Sequence, residues 1–248
     1  MKKLVFLYLF GLALVTGIFG QKTAQVQYAF KDFDGLSVSS GYDVYVEKGD
    51  KYSITIIVDA EYVESVKASV SEGVLSLEKE SGFFKNIKTL KAYITMPRLS
   101  SVTLSSGSDL VSNNLFVTET FKATQSSGSD MSVNIRADKT IVILSSGSDL
   151  KMNVETTSLT LTASSGSDAK LTGKAENVSL TTSGGSDVDA KGLIASDVTI
   201  VASGGSDVEI HAEKTLKVTA SGACDIVYSG NPEVISNTSG ASSIKKRK

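Results

Sequence analysis

The sequence predicts an all-β fold, a parallel β-helix of ~19-residue coils entered through an N-terminal β-rich region, and three observations predict it. A Ser-Gly-x-Asp motif recurs at nearly constant spacing over the second half of the chain. The segments between copies alternate apolar and polar residues with period two, the pattern of strands with one buried face. Each repeat is also too short to bury its apolar face alone, so copies must stack.

In chain order, the first element is an address. Lys2 and Lys3 precede a mostly apolar run from Leu4 to Phe19 that ends at Gly20 and Gln21. This pattern reads as a secretory signal peptide over residues 1–20. The run is shorter than the ~20 residues of a typical membrane-spanning helix, and no second candidate follows it. No Cys lies near the expected cleavage point, which disfavours a lipid-anchored N-terminus and leaves the periplasm, the outer-membrane surface or the extracellular space as destinations.

Residues 21–100 lack the regular repeat. Ser39-Ser40-Gly41-Tyr42-Asp43 is an isolated early copy of the motif. After it come a Gly49-Asp50 turn, a strand from Tyr52 to Val58, and a short helix capped by Asp59 that runs through Glu61 and Val66. A Glu72-Gly73 turn and strands near Val74–Leu77 and Ala92–Met96 complete the region, which is expected to cap the open end of the β-helix. Phe83 and Phe84, beside Lys85 and Lys88, are expected to pack over the first coil.

Residues 101–244 are the repeat array. Ser105-Ser106-Gly107-Ser108-Asp109 returns with its aspartates at Asp130, Asp149, Asp168, Asp187, Asp207 and Asp225, in steps of 21, 19, 19, 19, 20 and 18 residues. A last copy, 18 residues on, has Ser243 in place of Asp. Upstream of the motif the apolar pairs are Phe121/Ala123, Leu159/Leu161, Val178/Leu180, Val198/Ile200 and Leu216/Val218. Downstream they are Met131/Val133/Ile135, Leu150/Met152/Val154 and Val208/Ile210/Ala212. Coils stacked ~4.8 Å apart would turn equivalent residues into columns. General crossover chirality favours a right-handed coil. A propeller blade needs ~40 residues, and the leucine-rich signature is missing.

The motif has a physical reading. Gly107, Gly128, Gly147, Gly166, Gly185 and Gly205 suit a corner that needs positive φ. The serine hydroxyls can satisfy backbone groups there. Straight alternation through the corner would turn Ser106 and Ser108 inward and Asp109 outward. The aspartates would then form a column whose neighbours repel by roughly 1 kcal/mol in water. Either each carboxylate accepts N–H and hydroxyl bonds within its own turn, or pairs of carboxylates hold Ca²⁺. No other cofactor is implied.

Composition excludes several classes. One His (His211) and one Cys (Cys224) in 248 residues rule out a multi-histidine or thiolate metal centre and an intramolecular disulfide. His211 falls at an outward position, and Cys224 replaces a motif serine as a small filler. Without Lys2 and Lys3 the chain carries 23 basic and 27 acidic residues, and four of the basic ones are the tail Lys245, Lys246, Arg247 and Lys248. Such a body does not suit nucleic acid.

The order of Ser40-Gly41-Tyr42-Asp43-Val44-Tyr45-Val46, Gly49-Asp50, the Ser-Gly-x-Asp coils and Asp189-Ala190-Lys191-Gly192-Leu193 resembles the head GIN domain family of autotransporter adhesins. Ser221-Gly222-Ala223-Cys224-Asp225 with Tyr228-Ser229-Gly230-Asn231-Pro232 is similar to its C-terminal signature. The resemblance spans about residues 28–244. It implies an exported β-helical protein of Bacteroidetes-like bacteria and brings no catalytic residues with it.

The sequence is compatible with three function classes. A non-enzymatic adhesin or envelope protein would present columns of Thr, Ser, Lys and Asp to a glycan or another protein. A polysaccharide-processing enzyme or Ca²⁺-dependent carbohydrate module is the alternative on this fold. Against an enzyme, only Arg98, Arg136 and Arg247 supply guanidinium, and a regular array lacks an asymmetric cleft. An ice-binding threonine face comes last, resting on the Thr160/Thr162 pair. Self-association through flat faces or coil ends is expected as well.

Overall fold

The computed structural model describes residues 13–16, 22–80 and 87–247. It is a parallel β-solenoid of about 19 residues per coil. Residues 1–12 and 17–20 of the expected signal peptide lie outside the described residues, as do Gln21, Phe83, Phe84 and Lys85. Strand β1 (Ala13–Thr16) pairs antiparallel with β2 (Thr23–Tyr28).

The repeat array forms long strands that turn one corner each: β10 (Asp109–Gln125), β11 (Asp130–Leu144), β12 (Asp149–Ser164), β13 (Asp168–Ser183), β14 (Val188–Gly204) and β15 (Val208–Gly222). Each pairs in parallel with the next, from Leu110↔Met131 through Gly204↔Gly222. β16 (Asp225–Ser229), β17 (Glu233–Thr238) and β18 (Ser243–Lys246) finish the stack. Inward parity slips at the motif and again midway along each coil, as at Asp138 and Lys139, which are exposed in succession. Those slips separate two straight runs per coil.

The unequal repeat steps have a structural cause. The register shifts between Val111 and Leu115 in the 21-residue step, and between Ala190 and Ile194 in the 20-residue step. Extra residues leave the ladder there as bulges, which re-aim side chains.

The region before residue 100 is woven into the solenoid. β3 (Gly35–Val38) lies between β7 (Val74–Lys79) and β9 (Ser101–Leu104), parallel to both. β4 (Asp43–Lys48) lies between β8 (Leu90–Met96) and β10 in the same way. The coil that carries the isolated motif copy therefore sits inside the stack, with Asp43 opposite Asp109. β5 (Ser53–Asp59) continues one face beyond β8, antiparallel, and β2 follows it. On the other face β6 (Val66–Ser71) folds back on β7 through the Glu72-Gly73 turn, whose φ values are 51° and 76°. One hydrophobic core runs from Val26 to Ile226 across residue 100.

The helix expected after Asp59 is a 3₁₀ segment, Ala60–Ser65. Asp59 does not cap it: its Oδ2 accepts the Lys88 N–H at 2.7 Å from a neighbouring segment.

The apolar positions of the alternation are the core. Phe116, Phe121, Leu144, Leu161, Leu180, Ile200 and Val218 are all buried. Burying a side chain of this kind contributes about 1.5–3 kcal/mol. Tyr42 replaces the inward motif serine in the early copy; it is fully buried and its hydroxyl donates to the Glu78 carbonyl at 3.2 Å. Burial raises its pKa above the ordinary tyrosine value.

Candidate functional site

The motif corner takes a double left-handed turn. Ser106, Ser127, Ser146 and Ser165 have φ between 56° and 59°, and the glycines after them, Gly107, Gly128, Gly147 and Gly166, lie at 65–68°. The expectation that Ser106 points inward is corrected: two left-handed residues in a row break the alternation, and Ser106 is exposed. Ser108 does point inward and is fully buried. In later coils glycine takes the serine position, and there Gly204 at 86° holds the positive φ; Gly205, expected to hold it, does not. A Cβ on Gly204 would come within 2.9 Å of the Gly184 nitrogen, so the coils approach too closely there for a side chain.

The inward hydroxyls satisfy the corner. Ser108 Oγ accepts the N–H groups of Gly41 and Tyr42 at 3.1 and 3.3 Å. Ser129 and Ser148 accept from Ser126 and Ser145, both at 3.2 Å. Cys224 fills the same buried niche, with its thiol 3.4 Å from the Ser221 carbonyl.

Outside the corner the aspartates form the expected column, but their partners lie one coil away. Asp109 Oδ1 accepts the Asp130 N–H at 3.2 Å, Asp168 that of Asp187 at 3.3 Å, Asp187 that of Asp207 at 3.1 Å and Asp207 that of Asp225 at 3.0 Å. The expectation of bonds within each turn is corrected accordingly. At other levels the Asp N–H returns to a backbone carbonyl of the preceding coil, as Asp149 does to Ser129. Burial pushes the Asp109 carboxyl above the ordinary range, and repulsion from Asp130 and Asp43 adds to it, while the bond from the Asp130 N–H works against both. Among the described residues no group of three or more His, Cys, Asp or Glu side chains is arranged to hold a metal ion.

A second outward column runs beside the aspartates. Its order is Tyr93, Tyr45, Val111, Ser132, Lys151, Lys170, Asp189 and Glu209. Between the two columns lies a groove of about 580 Å³ that spans five coils, from Asp109 to Asp187. Lys191, on the bulge after Ala190, reaches Asp189 at 2.9 Å and Glu209 at 3.6 Å. Burial alone would raise the Asp189 pKa, yet the Lys191 contacts outweigh it and hold the carboxyl below its ordinary value.

Next to Val111, Tyr45 and Tyr93 stack at 5.1 Å with an interplanar angle of 14°. They are 36% and 43% exposed, and Lys91 Nζ lies 5.8 Å from the Tyr45 ring. Val111 and Leu115 are exposed alongside, so four large apolar side chains cluster on one patch. The repeat pattern does not reveal either tyrosine, because they stand on β4 and β8, which pair across the irregular region. The signal available was Tyr45 in outward phase two residues after the early motif Asp.

The opposite face carries Thr103, Thr124, Ile143, Thr162, Thr181, Val201 and Thr219 in one column, a longer β-branched row than the Thr160/Thr162 pair suggested. His211 is half-buried and shares a 2.9 Å hydrogen bond with Ser229.

A regular parallel solenoid of this kind offers an extended surface that repeats from coil to coil. Residues 32–232 match the family described as "putative auto-transporter adhesin, head GIN domain", and the chain belongs to that family. No curated protein matches it. Among solved structures it is similar to a putative adhesin from Parabacteroides merdae ATCC 43184, with a TM-score of 0.88 and 18% identity. It is likewise similar to one from Parabacteroides distasonis ATCC 8503, with a TM-score of 0.88 and 16% identity. A protein of the latter organism described as a putative lipid binding protein has a TM-score of 0.85 and 16% identity. Each alignment covers 92% of this chain and 98% of the other. At these identities the likeness is one of fold. No described helix is long and apolar enough to cross a membrane.

Proposed function

We propose that the chain is an exported, non-enzymatic adhesin and that its contact surface is the grooved flank, with an extended glycan as partner. The observation that carries this reading is the groove itself, with an aspartate rail on one side, Lys151 and Lys170 on the other, and the stacked Tyr45–Tyr93 pair beyond Val111. Carboxylates accept hydrogen bonds from sugar hydroxyls and ammonium groups donate to them. Aromatic rings offer apolar faces with a polar tip, which suits the C–H face of a pyranose. A ligand of repeating units suits a surface that repeats from coil to coil. The apolar run at residues 4–19 supports export.

The test incubates the purified chain with a panel of polysaccharides and records bound fraction and new reducing or unsaturated ends together. Binding without new ends is expected, lost in Tyr45→Ala/Tyr93→Ala and in Lys151→Glu/Lys170→Glu with melting temperatures unchanged. New ends that vanish on Asp→Asn substitution in the column would establish an enzyme instead. No binding to any member of the panel would sink the glycan reading and favour a protein partner.

A further inference from the structure

The face opposite the grooved flank is almost uncharged. Its outward row from Thr103 to Thr219 holds no charge, and the row beside it, from Ser101 through Ile141, Thr160 and Ser179, holds only Lys122 and Lys217. Motif serines such as Ser164 and Ser183 stand in register beyond them. The grooved flank, by contrast, lines its groove with eight charged side chains. Ile143 and Val201 are each 46% exposed on the uncharged face, and binding on the other flank gives them no role. Loss of charge together with exposed apolar side chains marks a surface that another protein covers.

The face is also self-complementary in relief. A groove of about 500 Å³ runs over β12 to β15, with Asn177 and Asp197 on one bank, Ser179 and Thr199 on the other, and Leu159 and Val178 at its floor. Thr162, Thr181 and Val201 stand one position beyond the second bank, as a ridge parallel to the groove. A two-fold axis parallel to the solenoid reverses position along the strand and keeps the coil level, so it lays each copy's ridge over the other's groove. A two-fold axis along the strands would set ridge on ridge. Rows of β-branched side chains in register at about 4.8 Å interdigitate well in dry contacts between sheets.

The size is sufficient. The strands β9 to β15 span about 34 Å along the axis and the run from Thr120 to Ser126 about 23 Å across it, so the face offers roughly 800 Å² per copy. A standard stable interface takes about 800 Å² from each partner. Lys122 and Lys217 lie toward the two ends of the face, where their stems can follow the partner with the ammonium groups in water.

We propose that the chain forms a parallel two-fold dimer through this face, ridge into groove, with a second copy of itself. The contact is isologous and closes at two chains. It sets the grooved flanks back to back on the outside, so a dimer offers two adhesive surfaces and gains avidity from both. The dimer itself does not depend on what those flanks bind.

Sedimentation velocity on the purified chain over a wide concentration series is expected to show monomer and dimer and no larger species. Added salt is expected to favour the dimer, because Lys122 and Lys217 each face their own counterpart across the axis and salt screens that repulsion. Thr162→Glu/Thr181→Glu puts carboxylates on the ridge and is expected to weaken the dimer more than about tenfold. The same change on the opposite face, Asn153→Glu/Thr172→Glu, is expected to leave it intact. Lys122→Thr/Lys217→Thr removes the repulsion and is expected to tighten it. Circular dichroism melts verify that each variant is folded. Ser101→Cys tests direction, since Cys224 is the one native cysteine and is buried. The parallel dimer holds the two new thiols at one coil level, about 10 Å apart across the sheets and within reach of a short bismaleimide. An antiparallel dimer would separate them by about 29 Å. The proposal is overturned by a chain that stays monomeric or grows past two copies, or by a dimer that survives Thr162→Glu/Thr181→Glu. It is equally overturned by a dimer that Lys122→Thr/Lys217→Thr weakens or that Ser101→Cys does not cross-link.

Discussion

The carboxylate of Asp207 accepts the backbone N–H of Asp225 one coil further on, at 3.0 Å. The side chain that the repeat conserves in kind is thereby part of the ladder that joins coils. Its charge is a cost, because the neighbouring carboxylates stand about 4.8 Å away and repel by roughly 1 kcal/mol in water. Acceptor and charge can be separated by substitution. Asp207→Asn keeps an oxygen for the Asp225 N–H and removes one charge from the column, so it is expected to match or exceed wild type in urea melts at neutral pH. Asp207→Ala loses the acceptor, and since water can reach the exposed N–H the loss is expected at about 0.5–1.5 kcal/mol. Equal destabilisation by both would show that the charge itself is needed.

Asp109 extends the same reasoning to pH. Burial, then the charges of Asp130 and Asp43, raise its folded pKa above the ordinary 3.8. The folded chain therefore holds this proton more tightly than the unfolded chain, and ionisation costs stability. The contribution is favourable at low pH and is lost as pH rises from 3.8 through the raised folded value. Asp109→Asn is expected to melt higher than wild type at neutral pH, with the advantage shrinking as the pH is brought below 3.8. An advantage that is the same at every pH would remove titration of Asp109 as its cause.

How far these groups could be read in advance depends on where they sit. Ser108 and Asp109 follow from period two because Asp109 opens β10 and Ser108 immediately precedes it, so both lie in phase with the extended strand. Ser106 does not, since the residue alternation assumes extended backbone and Ser106 has φ 57°. The long strands, the buried columns and the parallel stacking were legible because every coil repeats the same pattern. Tyr45 and Tyr93 were not, because their adjacency depends on β4 pairing with β8 across 48 residues of irregular chain. Likewise, the irregular step lengths were visible as numbers, but only the register shifts at Val111/Leu115 and Ala190/Ile194 show them to be bulges. Partners one coil away, such as Asp225 for Asp207, lie outside any local motif.

The corner supplies a prediction about strain. Ser146 and Gly147 have φ of 56° and 67°, and nothing lies within 4 Å of the place a Cβ on Gly147 would take. Gly147→Ala therefore meets strain without a clash, and is expected to cost about 1–2 kcal/mol less the gain from a stiffer unfolded chain, about 0.4–1 kcal/mol. Ser146→Gly reverses those terms and is expected to be neutral to mildly stabilising, as the natural glycines at Gly184 and Gly204 suggest. Chemical denaturation of the two variants, compared with wild type, checks the opposite signs. A stabilising Gly147→Ala would contradict the left-handed corner.

Gln125 is the polar exception in the core. It stands between Leu104 and Leu144 in an inward column and is fully buried. Its Nε2 donates to the Ser129 and Asp149 carbonyls at 3.0 and 2.9 Å, while its Oε1 has no partner among the described residues. An unpaired buried acceptor costs about 1–3 kcal/mol, and a leucine of similar volume would remove it. Against that, Gln125→Leu takes a donor from two carbonyls. The Ser129 carbonyl keeps the Asp149 N–H at 3.1 Å, so its loss is partial. The balance favours the apolar side chain, and Gln125→Leu is expected to stabilise the chain by about 1 kcal/mol in denaturant unfolding. Gln125→Ala separates the contributions: it removes the orphan and the donor alike but leaves a cavity between two leucines, and should fall below wild type by about 1–3 kcal/mol. If Gln125→Leu is also destabilising by that much, the two carbonyl bonds matter more than the orphaned oxygen, and the glutamine is a structural clamp between neighbouring coils.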